Sequence, residues 1–345
     1  MNILLTGATG TLGRAILRYA LERKDVKRLA AFARSESRLA ALVKEFGHYN
    51  AFKPFMGDVR DERRLRDACV DIDVVIHAAA LKRVDDGAYN PLEMHKTNVV
   101  GSINVANAAR AEGVRDVVLV SSDKAVSAIN TYGGSKFQAE NCLRELNSYS
   151  APRGTRISCV RYGNVLASTG SVLTIWDRQR GAGEPLTITD ESMTRFWITI
   201  NEAVEHIFTA LRVMRGGEVI IPVMRSSTMK LLAQAYRLVT HYDEWSLALI
   251  GKRAGGEKLH ELLVNEDEAL RAIAREGVIV IPPSVHPWTR EPWTTDVSVE
   301  IPHPYQSDAP AVRTYTLSDL MTRILGLTDG SSSADTKVAL QVNVK

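Results

Sequence analysis

Tyr132 and Lys136 stand four residues apart, so on a helix their side chains share one face. An ammonium beside a phenol favours the phenolate against its usual pKa of about 10. That pairing suits removal of a hydroxyl proton as hydride leaves the same carbon. Just upstream, Asp123 and Lys124 follow the run 116–120, which reads as a buried strand. Both therefore emerge where a parallel sheet usually meets its ligand. A carboxyl that donates a proton and an amine that accepts one need pKa values drawn towards neutrality, which a desolvated site supplies. One pair could oxidise while the other adds and removes protons.

These four residues need a scaffold, and the first half of the chain alternates strand and helix. Residues 2–6 form a short apolar run, 11–22 have helical periodicity and 28–33 are apolar again, which makes a first βαβ unit. Further strands are expected at 51–56, 74–78, 117–120 and 156–160, with helices near 60–69, 91–112 and 131–146. This alternation predicts an α/β, Rossmann-like, doubly wound parallel sheet. Beyond Tyr162 the order loosens into Gly- and Pro-bearing segments at 181–185, 216–217 and 255–256, helical stretches at 201–214 and 229–240, and Pro-bearing strands after Val278. The expected division is a Rossmann domain at 1–161, a smaller substrate-binding region at 162–328 partly interleaved with the first, and a tail at 329–345 with no clear amphipathic face.

Three places argue for a dinucleotide. Gly7, Gly10 and Gly13 sit between a strand and a helix, where missing side chains let backbone N–H groups and the helix N-terminus approach a pyrophosphate. After the second strand, where an acid would hold the ribose hydroxyls of NAD, the chain reads Arg34, Ser35, Glu36, Ser37, Arg38. Arginine there favours a 2′-phosphate, hence NADP; the plainer reading is a solvated Arg at a helix start, with Glu36 able to turn inward. Asp58, after the third strand, suits either the adenine amino group or a cap on the following helix.

Composition sets mild limits. A chain of 345 residues with 45% apolar and 24% charged content is ordinary for a globular protein with a sizeable core. The net charge of +3, from 43 basic and 40 acidic residues without basic runs, excludes a dedicated nucleic-acid binder. Cys69, Cys142 and Cys159 lack metal-ligand spacing and cannot all pair, which favours structural thiols in a reducing compartment. His77 and His206 read as packing or solvated residues, and no metal site is expected. No stretch approaches 18 apolar residues and the N-terminus enters a strand at once, so the expectation is a cytoplasmic enzyme without a membrane partner.

The glycine turn, Gly57-Asp58-Val59, the segment from His77 to Lys82 and the Tyr-x-x-x-Lys pair together resemble an extended short-chain dehydrogenase/reductase. More narrowly, Ser122-Asp123-Lys124, Lys96-Thr97-Asn98 and the segments 161–165, 185–190 and 193–196 resemble the inverting UDP-N-acetylglucosamine 4,6-dehydratases of polysaccharide (capsule) and flagellin-sugar pathways. The similarity runs from the first strand to about Glu266, with weaker echoes to about Leu325. It implies a redox-neutral lyase: hydride leaves sugar carbon 4 for bound NADP, the ketone acidifies carbon 5, water leaves from carbon 6, hydride returns there, and carbon 5 inverts on reprotonation. By matching positions, Tyr132 is the oxidation base, Lys136 its electrostatic partner and ribose ligand, Lys124 the base at carbon 5 and Asp123 the acid for the departing hydroxyl. Retaining relatives carry Glu beside the Asp, so Lys124 favours the inverting branch.

The resemblance also assigns cofactor contacts to Gly7, Thr9, Gly10, Thr11, Leu12, Gly13, Arg34, Ser35, Arg38, Asp58, Val59, Ala78, Ala79, Ala80, Lys82 and Asn98, beside Tyr132 and Lys136. Substrate contacts fall to Lys82, Ser122, Asn164, Arg195, Arg253 and Glu257, with a UDP-sugar as partner and a homo-oligomer as the assembly. For Lys82 the structural alternative is a salt bridge, for Asn164 a turn bond and for Arg195 surface pairing. The chain departs from the pattern with an extra residue in Gly255-Gly256-Glu257-Lys258, Thr169 in place of Arg, Thr174 in place of Pro, and Asp85 and Asp86 after Lys82. A nucleotide-sugar 4-epimerase or retaining dehydratase of the same fold is the nearest alternative; a non-catalytic NADP-binding sensor or scaffold is the remote one, since a binder needs no acid, base and phenol together.

Overall fold

A computed structural model describes residues 1–150, 154–242, 247–252, 256–275, 277–284, 293 and 304–328. The expected tail at 329–345 and Arg253 lie outside the described residues.

The strands in chain order are β1 (Asn2–Thr6), β2 (Arg28–Ala33), β3 (Phe52–Met56), β4 (Val74–His77), β5 (Asp116–Val120), β6 (Arg156–Val160), β7 (Asn164–Val165), β8 (Leu186–Ile188), β9 (Thr194–Ile198), β10 (Val219–Pro222), β11 (Arg225–Thr228), β12 (Leu247–Leu249), β13 (Leu262–Val264), β14 (Ile273–Arg275), β15 (Val278–Ile281) and β16 (Tyr305–Gln306). Nine of them form one sheet in the order β14-β15-β10-β6-β5-β4-β1-β2-β3. The pairs from β3 through to β10 are parallel, and β15 and β14 close that side antiparallel. The chain has a Rossmann-like, doubly wound α/β fold. β1, β4, β5 and β6 are apolar runs buried on both faces by helices, as parallel strands require. Pro54 is tolerated because β3 is an edge.

β2 and β4 flank β1, so strand order reverses there and opens a crevice at the strand C-termini. Gly7 leaves β1 with φ +71°, and a Cβ on it would stand 2.7 Å from the Ala79 nitrogen at the end of β4. A Cβ on Gly13 would collide with the Gly7 carbonyl. The turn thus packs too closely for side chains and delivers the N-terminus of α1 (Thr11–Leu21) to the crevice.

Beyond residue 161 the chain contributes β10, β14 and β15 to this sheet, and also builds smaller ones: β11-β9-β7, β8 with β12, and β13 with β16. A second apolar cluster around Trp176, Tyr236, Leu320 and Ile324 gives that part its own core. The expected helix 91–112 is helical throughout, but its middle, Lys96–Val100, widens into a π turn between Pro91–His95 and Gly101–Ala111. Within that turn the Asn98 amide bonds both Leu81 N (2.7 Å) and Leu81 O (2.8 Å) and also reaches Ser135. His77 is buried between Thr6 and Ser102 hydroxyls, and burial pushes its pKa down to about 3, so it stays neutral. His206 is likewise buried, against Ile220 O. Cys69 and Cys159 are buried free thiols. Among the described residues no helix is long and apolar enough to cross a membrane, and no three His, Cys, Asp or Glu cluster to hold a metal.

Candidate active site

β5 ends at Val120, and the 3-10 turn Asp123–Ala125 follows, with Ser122 accepting from Lys124 N. The helix Thr131–Glu145 then starts with Asn130 capping Gly133 N. This short path brings Asp123, Lys124, Tyr132 and Lys136 to the sheet's C-terminal edge. Asn130 also donates to Gly256 O, tying the helix start to the Gly-Glu-Lys loop.

Lys124 Nζ has three acceptors: Asp123 Oδ1 at 3.0 Å, Asn164 Oδ1 at 3.0 Å and Glu261 Oε1 at 3.3 Å. Burial opposes its charge, yet Asp123 and Glu261 outweigh that and hold the ammonium firmly protonated. Asp123 is fully buried, and desolvation raises its pKa against the pull of Lys124. Ser122 and Lys124 occupy Oδ1, while Oδ2 has no hydrogen-bond partner among the described residues. One carboxylate oxygen is therefore committed and the other is available to hold a proton.

Tyr132 is 8% exposed, and burial raises its pKa; the opposing pull comes first from Lys124 and then from a Ser122 hydrogen bond. Lys136, expected as the cation acting on this phenol, instead donates to Val120 O at 2.7 Å, and burial pushes it down to about 8. The two share a helix face, but the cation with the largest pull on Tyr132 is Lys124.

Arg195 lies inside the protein at 5% exposure, bonding Thr194 O and Leu259 O, with Glu257 and Glu261 each 3.8 Å away. It serves as an internal counter-ion here, so the surface pairing given as the structural alternative to a substrate contact does not occur. Asn164, expected to make a turn bond or touch substrate, receives Lys124. Lys82 is exposed at the crevice rim and makes no ion pair among the described residues. Glu261 was not anticipated; its carboxylate meets Lys124, Arg195 and, at 3.6 Å, Lys258.

At the crevice's other end, Ser35 Oγ caps the helix Glu36–Phe46 by accepting from Arg38 N, and Arg34 is 62% exposed. Asp58 takes a two-pronged grip from Arg60 at 3.0 and 2.7 Å and lies 3.6 Å from Arg34. Arg60 holds its carboxyl below the usual range. The cap on the following helix, Glu62–Cys69, is Asp61, so Asp58 does not fill that role. Thr9, Gly10, Thr11 and Leu12 line the glycine turn, Val59 packs against Gly101, and Ala78, Ala79 and Ala80 follow β4. Thr169, standing where the resemblance has arginine, bonds Thr11 Oγ1 through its hydroxyl at 2.7 Å.

Residues 3–283 match a family described as polysaccharide biosynthesis protein. A protein named UDP-N-acetylglucosamine 4,6-dehydratase (inverting), from Campylobacter jejuni subsp. jejuni serotype O:23/36, is 37% identical over 82% of this chain and 83% of its own. A protein named UDP-glucose 4-epimerase from Rickettsia typhi is 35% identical over 81% of this chain and 82% of its own. Among solved structures, Pen from Bacillus thuringiensis superposes with a TM-score of 0.84 at 32% identity, covering 94% of this chain and 97% of that one. With its matching family spanning most of the sequence and these relatives covering four-fifths of it, the chain belongs to the polysaccharide biosynthesis protein family.

Proposed function

We propose that the protein is an NADP-dependent UDP-N-acetylglucosamine 4,6-dehydratase that inverts carbon 5. The observation that carries this reading is the Asp123–Lys124 pair at the strand edge beside Tyr132, with Asp123 fully buried, Lys124 half-buried and Asp123 Oδ2 unengaged among the described residues. The 37% identical relative named for that reaction supports it. A 4-epimerase needs only oxidation and reduction at carbon 4, and leaves a buried acid and base without work.

The crevice fits a dinucleotide: α1 points its N-terminus there, Gly7 admits no side chain, and Arg34 and the Ser35-capped helix offer an anion site. When bound, the nicotinamide supplies the hydride acceptor for carbon 4 and the donor for carbon 6. Tyr132 takes the carbon 4 hydroxyl proton, helped by the Lys124 charge and Ser122. Transfer of one proton from Lys124 to Asp123 across their 3.0 Å bond makes a neutral acid and a neutral base together, with no change in net charge. Lys124 then accepts the carbon 5 proton, and the Asp123 carboxyl gives up the proton it received to the carbon 6 hydroxyl, which leaves as water. The pair returns to carboxylate and ammonium. Desolvation of Asp123 works towards this exchange, while the Glu261 charge, which holds Lys124 protonated, works against it.

The same reading has a homo-oligomer acting in the cytoplasm, a Rossmann unit at 1–161 and a substrate region at 162–328 partly interleaved with it. Incubation with UDP-N-acetylglucosamine in deuterated water, followed by NMR and mass analysis, tests the function. Loss of one water with deuterium and inverted configuration at carbon 5 is expected. Unchanged mass with a carbon 4 epimer would overturn it in favour of an epimerase.

A further inference from the structure

We propose that Glu261 is a positioning residue that holds Lys124 against Asp123 and sets the proton poise of that pair with a permanent negative charge. The inference rests on the dehydratase reading. Glu261 immediately precedes β13 and is 3% exposed, a placement costly for a carboxylate unless cations meet it. Three do: Lys124 from the 3-10 turn, Arg195 from β9 and Lys258 from its own loop. Glu257 shares Arg195, and Asp123 and Tyr132 are the remaining titratable groups that feel its charge.

Its backbone is clamped on both sides by Ser307, whose Oγ accepts from Glu261 N at 2.9 Å and whose N donates to Glu261 O at 2.9 Å. Ser307 Oγ also meets Thr194 Oγ1 at 2.6 Å, next to Arg195. The carboxylate is therefore held by the fold, and Lys124, with its long stem, is the partner that must conform. Of the three acceptors around Lys124 Nζ, Asp123 can exchange a proton with it productively and Asn164 carries no charge. Glu261 supplies the third direction and a charge.

The two carboxylates flanking one amine are driven apart. Desolvation pushes Asp123 up, with Glu261 adding to it, whereas the cations hold Glu261 down despite its burial. This separation marks Asp123 as the group that takes up a proton and Glu261 as the one that stays ionised. Glu261 also raises Lys124, so its charge lifts every proton equilibrium of the working pair.

The test is the pH profile of kcat for Glu261→Gln, with cofactor content and circular dichroism as checks on folding. Both limbs of the profile should move to lower pH by about one unit, a tenfold change in the proton equilibria. A lower rate with limbs in place would overturn the proposal, because a merely structural residue changes amplitude and leaves the limbs alone. Where Glu261→Gln does not fold, Lys258→Met decides: removing the cation that opposes Glu261 should move the limbs to higher pH, and unmoved limbs would overturn the proposal. A wild-type protein that fails to dehydrate the UDP-sugar would instead sink the reading beneath it, so the two failures are separate.

Discussion

Lys136 Nζ donates to the carbonyl of Val120 at 2.7 Å, fastening the helix that carries Tyr132 to the last residue of β5. The bond sits at 6% exposure, and burial lowers this lysine from 10.5 to about 8. A base whose folded pKa is depressed binds fewer protons folded than unfolded between those values. Stability should therefore rise as pH climbs from about 8 to 10.5. Denaturant melts of wild type against Lys136→Met should show that difference growing in favour of wild type across the window; a constant gap would refute it.

Tyr132→Phe removes the group that accepts the first proton while keeping its buried ring. Carbon 4 oxidation should fall by about a hundredfold or more, read as loss of transient nicotinamide reduction in single turnover. Binding of the UDP-sugar should stay within about fivefold, since one buried neutral hydrogen bond is worth roughly 1 kcal/mol.

The Tyr132/Lys136 pair, the Asp123/Lys124 pair and the strand before them were legible because they are local: an i, i+4 spacing, an adjacency, an apolar run. Glu261 was not, because its link to Lys124 joins distant stretches of chain and leaves no periodic trace. Nor was the π turn at Lys96–Val100, within which Asn98 bonds Leu81 seventeen residues back. The joining of β14 and β15 to the main sheet was equally hidden, since three- and four-residue strands give almost no alternation to count. Spacing suggested Lys136 as the cation on Tyr132; the Val120 carbonyl, exposed only by the fold, claims it instead.

Lys124→Ala separates the two chemistries. Tyr132 should still permit carbon 4 oxidation, although more slowly, because Lys124 is the cation that opposes the burial of its phenol. Exchange of the carbon 5 proton with deuterated water should stop, and dehydration should fall by at least about a hundredfold. Full dehydration by this variant would remove Lys124 from the role of base.

Arg34 is mostly exposed and 3.6 Å from Asp58, whose carboxylate is already satisfied by Arg60. Its guanidinium thus retains donors for a 2′-phosphate beside the Ser35 cap. Arg34→Ala should weaken NADP by about ten- to hundredfold, the worth of one charged hydrogen-bonded contact, and NAD by less than about threefold. Titration of each dinucleotide checks this, and equal losses would refute 2′-phosphate recognition.

Arg161 anchors the same helix from below. Its guanidinium, 2% exposed, pairs with Glu140, one turn beyond Lys136, and with Glu268 at 2.9 Å on both nitrogens, and it donates to Leu263 O at 2.8 Å. Arg161→Met would strand two buried carboxylates and should cost about 3–5 kcal/mol near neutral pH. Burial alone would raise Glu268, but Arg161 outweighs it and holds it below 4.5. That contribution is present above the unfolded value and fades as pH falls through the folded one. The gap between wild type and variant in urea melts should accordingly narrow on acidification below about pH 4.5; a gap that widened there would show that Glu268 does not depend on Arg161 for its charge.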